Sequence, residues 1–310
     1  MKLIKTELRR YPYFVAPDIK IAATLGNFDG IHIGHQSLLV KLAEHKKRGL
    51  KTALISFYPH PAVVLGKAAK IPILTALSKK IRILNSFNLD YLFLIHFTKN
   101  FSKISAEQFL ADIVLGMFNV SCLLIGEDAR VGAKGEGDAK YISDFCARSG
   151  CEVTILEHVK SCGERVSSRA LRDAVLSGDM SKYKALSAGY FSLIGKVMRG
   201  KGIGKNIGYP TANLHLREEY IVPASGVYAS LTHKDGVAYK SVCNVGYRPT
   251  FAGTSLSVES HLIDYKGADF YGTKVEIEFI EKIRGELSFS SSLELSKQIG
   301  FDIETALKIL

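Results

Sequence analysis

The 310-residue chain contains no tryptophan, no Cys-x-x-Cys pair, no internal repeat and no low-complexity tract. Its five cysteines, Cys122, Cys146, Cys151, Cys162 and Cys243, are odd in number and scattered through a chain too large to need covalent staples. A disulfide scaffold is therefore excluded, and reduced, mostly buried thiols are expected. No apolar run is long enough to cross a bilayer, and the opening MKLIKTELRR alternates charged with apolar residues where a secretory signal would be continuously hydrophobic. Membrane insertion and secretion are set aside, and the cytoplasm is the expected compartment.

What is present is the mix of an ordinary globular protein, 47% hydrophobic and 23% charged, long enough for two cores. The formal net charge of +11 favours anionic partners. The basic residues are spread along the chain, and their densest cluster, Lys46, Lys47 and Arg48, closes a predicted helix, where cations complement free carbonyls. With no concentrated basic stripe, no tryptophan and no RNP-like aromatic motif, the charge argues against nucleic acid. A basic nucleic-acid-binding protein with a nucleotide-sensing fold is the competing reading from another class.

Up to about Ser187, β-rich runs alternate with helical ones. IAATL from Ile21, TALISF from Thr52, YLFLIHF from Tyr91, VSCLLIG from Val120 and EVTIL from Glu152 give at least five strands. Helical patterns cover His35 to Arg48, Ala106 to Phe118 and Tyr141 to Arg148. This rhythm predicts a Rossmann-like parallel sheet whose ligands lie beyond the strands' carboxyl ends. From Leu193 the pattern changes to extended segments separated by Gly, Pro and Asn, which predicts a small antiparallel barrel, with one closing helix from about Leu293 to Leu310. The expected domains are 1–187 and 188–310, α/β and then mainly β.

Where the strand ending at Leu25 meets a helix stands Gly26-Asn27-Phe28-Asp29-Gly30-Ile31-His32-Ile33-Gly34-His35. Free backbone N–H groups at a helix start attract anions, glycines admit a nucleotide close to the chain, and His32 and His35 are placed to donate to phosphoryl oxygens. The helix dipole contributes only about 0.3–1 kcal/mol. Removing one donor aimed at transition-state charge costs roughly 10²–10³ in rate, so the side chains matter more. A bare H-x-x-H is more often a turn with surface histidines; the full block between strand and helix is far more specific.

The block resembles the H-x-G-H signature of nucleotidylyltransferases, and with its flanks the bifunctional riboflavin kinase/FAD synthetase family. FYPHP at Phe57 to Pro61, ILTALSKK at Ile73 to Lys80 and VSSRALR at Val166 to Arg172 agree with it. The resemblance implies direct adenylyl transfer from ATP to FMN, giving FAD and pyrophosphate, with His32 and His35 on the phosphates. Gly26, Asn27, Phe28, Asp29 and His60 would shape the nucleotide site, and Ser167, Ser168 and Arg172 would contact phosphates. Read without the family, Ser167 is an N-cap followed by a helix, and both roles are compatible. Where the family has Gly-x-Asp-Phe-x-Phe-Gly near the flavin, this chain reads Gly126-Glu127-Asp128-Ala129-Arg130-Val131-Gly132. It keeps Asp128 as the flavin contact but loses both aromatics, which leaves open a kinase with a weak or inactive adenylyltransferase partner.

A second block runs from Gly200 through Gly202, Gly204, Lys205, Gly208 and Tyr209 into Pro210-Thr211-Ala212-Asn213. Gly195 to Lys201 also spells a P-loop, but Gly202 stands where a hydroxyl residue is needed and strands follow instead of a helix. The block resembles riboflavin kinase, as do GVYAS from Gly226, NVGYRPTF from Asn244, VESHLIDY from Val258 and the stretch Asp269 to Phe289, so the likeness covers nearly the whole chain. It implies ATP as substrate, Mg²⁺ on Thr211 and Asn213, and nucleotide contacts from Gly202, Gly204, Lys205, Gly208 and Pro210. Lys205 replaces the usual Arg, keeping the charge without the bidentate fork. Strand alternation puts Glu259 and His261 on one face and Val258 and Leu262 on the other. By the resemblance, Glu259 is the general base for the riboflavin 5′-hydroxyl and Arg284 a flavin contact. Read alone, Arg284 is an exposed charge at a strand end.

Overall fold

The computed structural model describes all residues except 7–17, 67–69, 162, 201–203, 205–206 and 251–252, together with the side chains of 248–250 and 253–254. Cys162, Gly202 and Lys205 therefore lie outside the described residues. The chain forms two compact units, Met1–Ile71 with Leu77–Val166, and Pro72–Ala76 with Ser167–Leu310.

In the first unit six parallel strands, β1 (Lys2–Thr6), β2 (Ile21–Leu25), β3 (Lys51–Tyr58), β4 (Tyr91–His96), β5 (Val120–Gly126) and β6 (Glu152–Leu156), are ordered β1-β4-β3-β2-β5-β6. The five expected strands are joined by β1, whose short alternating sequence pairs with β4 at the sheet edge. Period-2 alternation sends Ile21 and Ala23 to one face, where Phe93, Leu123, Phe109 and Ile142 pack. Ala22 goes to the other, with Leu54, Leu124, Leu39 and Leu42.

From β2 the chain steps one way to β3 and β4, then returns to the other side of β2 for β5 and β6. Strand order reverses between β2 and β5, and at such a switch point the two following loops diverge and leave a crevice. Those loops begin at Gly26 and Glu127, the two segments the sequence singled out. Two members of the basic cluster at the opposite end are paired: Arg48 grips Glu152 through 2.7 and 2.6 Å bonds, and Lys46 lies 3.1 Å from Asp90.

Two short pairing segments, β7 (Lys160–Ser161) and β8 (Glu164–Arg165), complete the first unit. The second unit is a closed antiparallel barrel of β9 (Phe191–Met198), β10 (Ala212–His215), β11 (Gly226–Lys234), β12 (Val237–Thr250), β13 (Gly253–Leu262) and β14 (Lys274–Arg284), ordered β10-β13-β12-β11-β14-β9. Asp235 and Gly236, both at positive φ (49° and 81°), make the two-residue turn between β11 and β12 that suits twisted strands. Inside stand Tyr228, Phe279 and Phe191, beside a chain of hydroxyls in which Ser230, Ser241, Thr232 and Ser260 are linked at 2.8–2.9 Å. Each hydroxyl thus recovers the hydrogen bond that burial removed. The C-terminal helix Ser292–Ile309, capped by Ser291, lays Ile303 and Ala306 against Val227, Ala229 and Val242.

Candidate active sites

The turn after β2 is held in an unusual backbone path. Gly26, Phe28, Gly30 and Ile31 all have positive φ, and the two non-glycine residues, at 49° and 39°, are fixed by burial. The helix Ile33–Glu44 begins inside the motif: His32 is its N-cap, and its Nδ1 accepts the His35 N–H at 3.2 Å. A Cβ on Gly34 would lie 3.2 Å from that nitrogen, so glycine lets the imidazole fold over the helix end. Because Nδ1 is the acceptor, the proton of neutral His32 resides on Nε2, which is left as a donor.

The rings of Phe28, His35 and His32 form one stack, with centroids 4.2 and 3.7 Å apart. Burial pushes His32 down to about 4, with Asp128 opposing and Arg165 assisting. Burial, then the charges of His32 and Lys80, hold His35 well below the ordinary histidine range. Both imidazoles are neutral at physiological pH, and His35 Nδ1 is buried without a hydrogen-bond partner. The Asn27 carbonyl accepts Lys80 Nζ at 2.7 Å, and its side-chain amide lies 2.9 Å from Nε2 of His60, whose Nδ1 caps the short helix Pro61–Val64.

Beyond β5, Asp128 is ion-paired with Arg165 and close enough to His32 to act on its charge. The neighbouring cavity, about 480 Å³, is lined by Arg130 and Val131 and by Phe57, Phe97, Phe101 and Phe109, which meet edge-on or tilted. Asp128 is not among its lining residues. Ala129 packs against the core beneath. Positions 129 and 131 carry no aromatic ring, and the aromatic lining of this cavity comes from the four phenylalanines. Ser167, Ser168 and Arg172 belong to the second unit, where Ser167 Oγ accepts the Ala170 N–H at 3.2 Å as N-cap and Arg172 donates to the Pro72 carbonyl.

On the barrel, Glu259 and His261 share the outward face of β13 while Val258 and Leu262 are buried, as alternation requires. Asn213 on β10 and Asn244 on β12 stand directly opposite Glu259 in the ladders. Both carboxylate oxygens are held, Oε2 by Thr211 Oγ1 at 3.2 Å and Oε1 by Ser257 Oγ at 3.0 Å. His261 Nδ1 donates to the Pro210 carbonyl at 2.8 Å.

Glu259 opens into a cavity of about 360 Å³ between the barrel and the C-terminal helix. Arg284 lines it and is not an exposed strand-end charge: Nε and Nη2 donate to the two Asp302 oxygens at 2.8 and 2.7 Å, and Gln298 adds a 2.9 Å bond. Glu286 enters the same cavity, so close to Gly246 that a Cβ there would meet its carboxylate at 2.1 Å. A second cavity, about 470 Å³, shares Thr211 and His261 with the first and adds Gly208, Pro210 and Asn213. Gly204 lies against Tyr209, whose carbonyl a Cβ would approach to 2.3 Å, and Gly208 takes φ +88°.

Lys80, Ser257, Glu286 and Asp302 were not singled out by the sequence. Two carried a signal: Asp302 interrupts the apolar stripe Leu295, Ile299, Ile303, Ala306, and Lys80 lies on the stripe of Leu77 and Leu84.

A family model for FAD synthetase matches residues 16–170, and one for riboflavin kinase matches residues 188–310. Bifunctional riboflavin kinase/FMN adenylyltransferase from Bacillus subtilis is 34% identical over 297 residues, covering 93% of this chain and 92% of the relative. Its Escherichia coli K12 counterpart is 35% identical over 295 residues, covering 94% and 93%. Among solved structures, one described as a macrolide-efflux protein from Streptococcus pneumoniae superposes with a TM-score of 0.88 at 26% identity over 98% of both chains. In this chain no helix among the described residues is long and apolar enough to cross a membrane. Two domain types in one chain, matched over nearly its whole length by relatives carrying both activities, identify it as a member of the bifunctional riboflavin kinase/FMN adenylyltransferase family, which makes FMN from riboflavin and FAD from FMN.

Proposed function

We propose that the two reactions occupy separate sites, adenylyl transfer at the β2–β5 crevice and phosphorylation at the Glu259 face of the barrel, with functional domains 1–187 and 188–310. The protein would work in the cytoplasm, where riboflavin and ATP meet. At the first site an FMN phosphate oxygen attacks the α-phosphorus of ATP and pyrophosphate leaves, without a covalent enzyme intermediate. Positioning and charge stabilisation carry the rate. Nε2–H of His32 donates to phosphoryl oxygen, His35 backs it in the stack, and the Gly26–Asp29 turn, braced by His60, borders the nucleotide. The flavin ring lies in the phenylalanine-lined cavity, and Arg130 draws the FMN phosphate. Asp128 acts through Arg165 and His32.

At the second site Glu259 accepts the proton of the riboflavin 5′-hydroxyl as that oxygen attacks the γ-phosphorus of ATP. The residues fit magnesium: Thr211 and Asn213 present neutral oxygens at i and i+2 of one extended segment into one cavity, and Thr211 gives its proton to Glu259, leaving lone pairs on its oxygen. When bound, magnesium would neutralise triphosphate charge. Gly202, Gly204, Lys205, Gly208 and Pro210 border the nucleotide, and the Arg284–Asp302 pair forms a wall of the flavin cavity.

The observation that carries this reading is Glu259, held at both oxygens in a cavity it shares with Thr211 and an arginine. Flavin fluorescence titrations test the first site separately. Arg130→Ala should weaken FMN binding to the adenylyltransferase while riboflavin turnover is unchanged, and unaltered FMN affinity would remove Arg130 and its cavity from the reading.

A further inference from the structure

The ammonium of a half-buried lysine stands behind the adenylyl-transfer turn and has no part in the mechanism above. Lys80 comes from the helix Leu77–Ser86, its Nζ enclosed by protein and donating to the Asn27 carbonyl at 2.7 Å. The same carbonyl accepts Ser56 Oγ at 3.4 Å. Lys80 is thus joined to the turn that sets Phe28 and, through the ring stack, His35 and His32.

An enclosed ammonium is costly to bury, and a single neutral carbonyl offsets little of that. A helix surface has cheaper ways to fill the position: methionine or leucine would extend the stripe of Leu77 and Leu84. The charge has Asp29 as its opposing group, and burial lowers the proton affinity of Lys80 while Asp29 restores part of it. A fixed cation beneath two neutral imidazoles suits a site that must gather polyanionic phosphates, because in a water-poor crevice its field is weakly screened.

We propose that Lys80 is a positioning residue for adenylyl transfer, anchoring the Gly26–Asp29 turn through the Asn27 carbonyl and supplying the fixed positive charge that draws the reacting phosphates onto His32 and His35. The inference rests on the assignment of this crevice to FAD formation. Its charge also bears on His35, whose other titratable neighbour is His32 on the same turn, and it helps keep His35 unprotonated.

Two substitutions separate the tether from the charge. Lys80→Gln keeps an N–H donor without charge, and Lys80→Arg keeps both. With FMN and ATP supplied, Lys80→Gln should form FAD about a hundredfold more slowly, the scale of a lost or misplaced charge contact. Its acid limb should move to higher pH because His35 loses a cationic neighbour. Lys80→Arg should stay within about tenfold of wild type, with the acid limb in place. FMN formation by the same preparations should be unchanged.

A Lys80→Gln enzyme that makes FAD at the wild-type rate overturns the proposal. So does one slowed with its acid limb unmoved, or a Lys80→Arg enzyme slowed as far as Lys80→Gln. Should Gln unfold the first unit, the Arg variant decides alone, retention of FAD formation and of its acid limb supporting the proposal and their loss overturning it. His32→Asn separates this failure from that of the site assignment. If His32→Asn abolishes FAD formation and Lys80→Gln does not, only Lys80 is wrongly placed; if neither matters, the crevice is not the site.

Discussion

His32 is the N-cap of the helix Ile33–Glu44 and, in the proposed mechanism, a donor to phosphate, and asparagine can take over the first of these roles. Asparagine is among the best N-caps, and its side-chain oxygen reaches the N–H three residues on, which here belongs to His35. His32→Asn should therefore preserve the helix end to within a few tenths of a kcal/mol, whereas His32→Ala loses about 1 kcal/mol of capping. Both lose the ring stacked 3.7 Å from His35, worth about 0.5–1.5 kcal/mol. Neither keeps the Nε2–H. Loss of one donor aimed at developing charge raises the barrier by about 2.7–4 kcal/mol, or roughly 10²–10³ in rate.

The assay is chromatographic. Each variant is incubated with FMN and ATP to follow FAD and pyrophosphate, and with riboflavin and ATP to follow FMN. His32→Asn should lose FAD formation by about two to three orders of magnitude and keep FMN formation, so that FMN accumulates from riboflavin. His32→Ala should match it in rate and fall below it in thermal stability. A His32→Asn enzyme that still makes FAD at more than about a tenth of the wild-type rate would reduce His32 to a cap. Loss of FMN formation in a folded variant would show that the two sites are not separable.

Three further outcomes follow. Glu259→Gln should suppress FMN formation by about 10²–10⁴ yet leave adenylylation of supplied FMN intact, read from the same product assay. Asp302→Ala strands Arg284 beside the proposed flavin cavity and should destabilise the barrel unit by about 3–5 kcal/mol and raise the KM for riboflavin, whereas Arg284→Met with Asp302→Leu should recover stability without recovering KM. Because folding holds His32 near 4 and the unfolded chain returns it to about 6.5, the unfolded state takes up the extra proton as pH falls. The stability tied to neutral His32 is complete above pH 6.5 and declines by about 3 kcal/mol as pH drops through about 4. Urea unfolding of the first unit at several pH values should show this slope, flattened in His32→Asn.

The sheet and barrel were readable because their signals are repeated many times over: alternation in five strands, the Asp-Gly turn, the change of rhythm after Leu193. β1 and β10 escaped because each has few residues to show a period, and because Lys2–Thr6 and Ala212–His215 become strands only through pairing with distant partners. The same division runs through the sites. His32, His35, Thr211 and Glu259 lie in contiguous blocks whose chemistry is local, a helix start or an extended pair at i and i+2. The start of the helix is itself misjudged by position, since it begins at Ile33 with His32 as its cap, two residues before the expected start at His35. Lys80 is visible in the sequence only as the last residue of the ILTALSKK stretch and a charge on the stripe of Leu77 and Leu84, and Asp302 only as a charge on an apolar stripe; neither carries its own explanation. Their partners lie 53 and 18 residues away, at Asn27 and Arg284, and packing alone brings them within hydrogen-bond distance. A charge on the buried face of a helix is thus the sequence's sign that a distant polar group awaits it, and in this protein one such charge meets the Asn27 turn and the other lines the Glu259 cavity, the two places to which we assign the reactions.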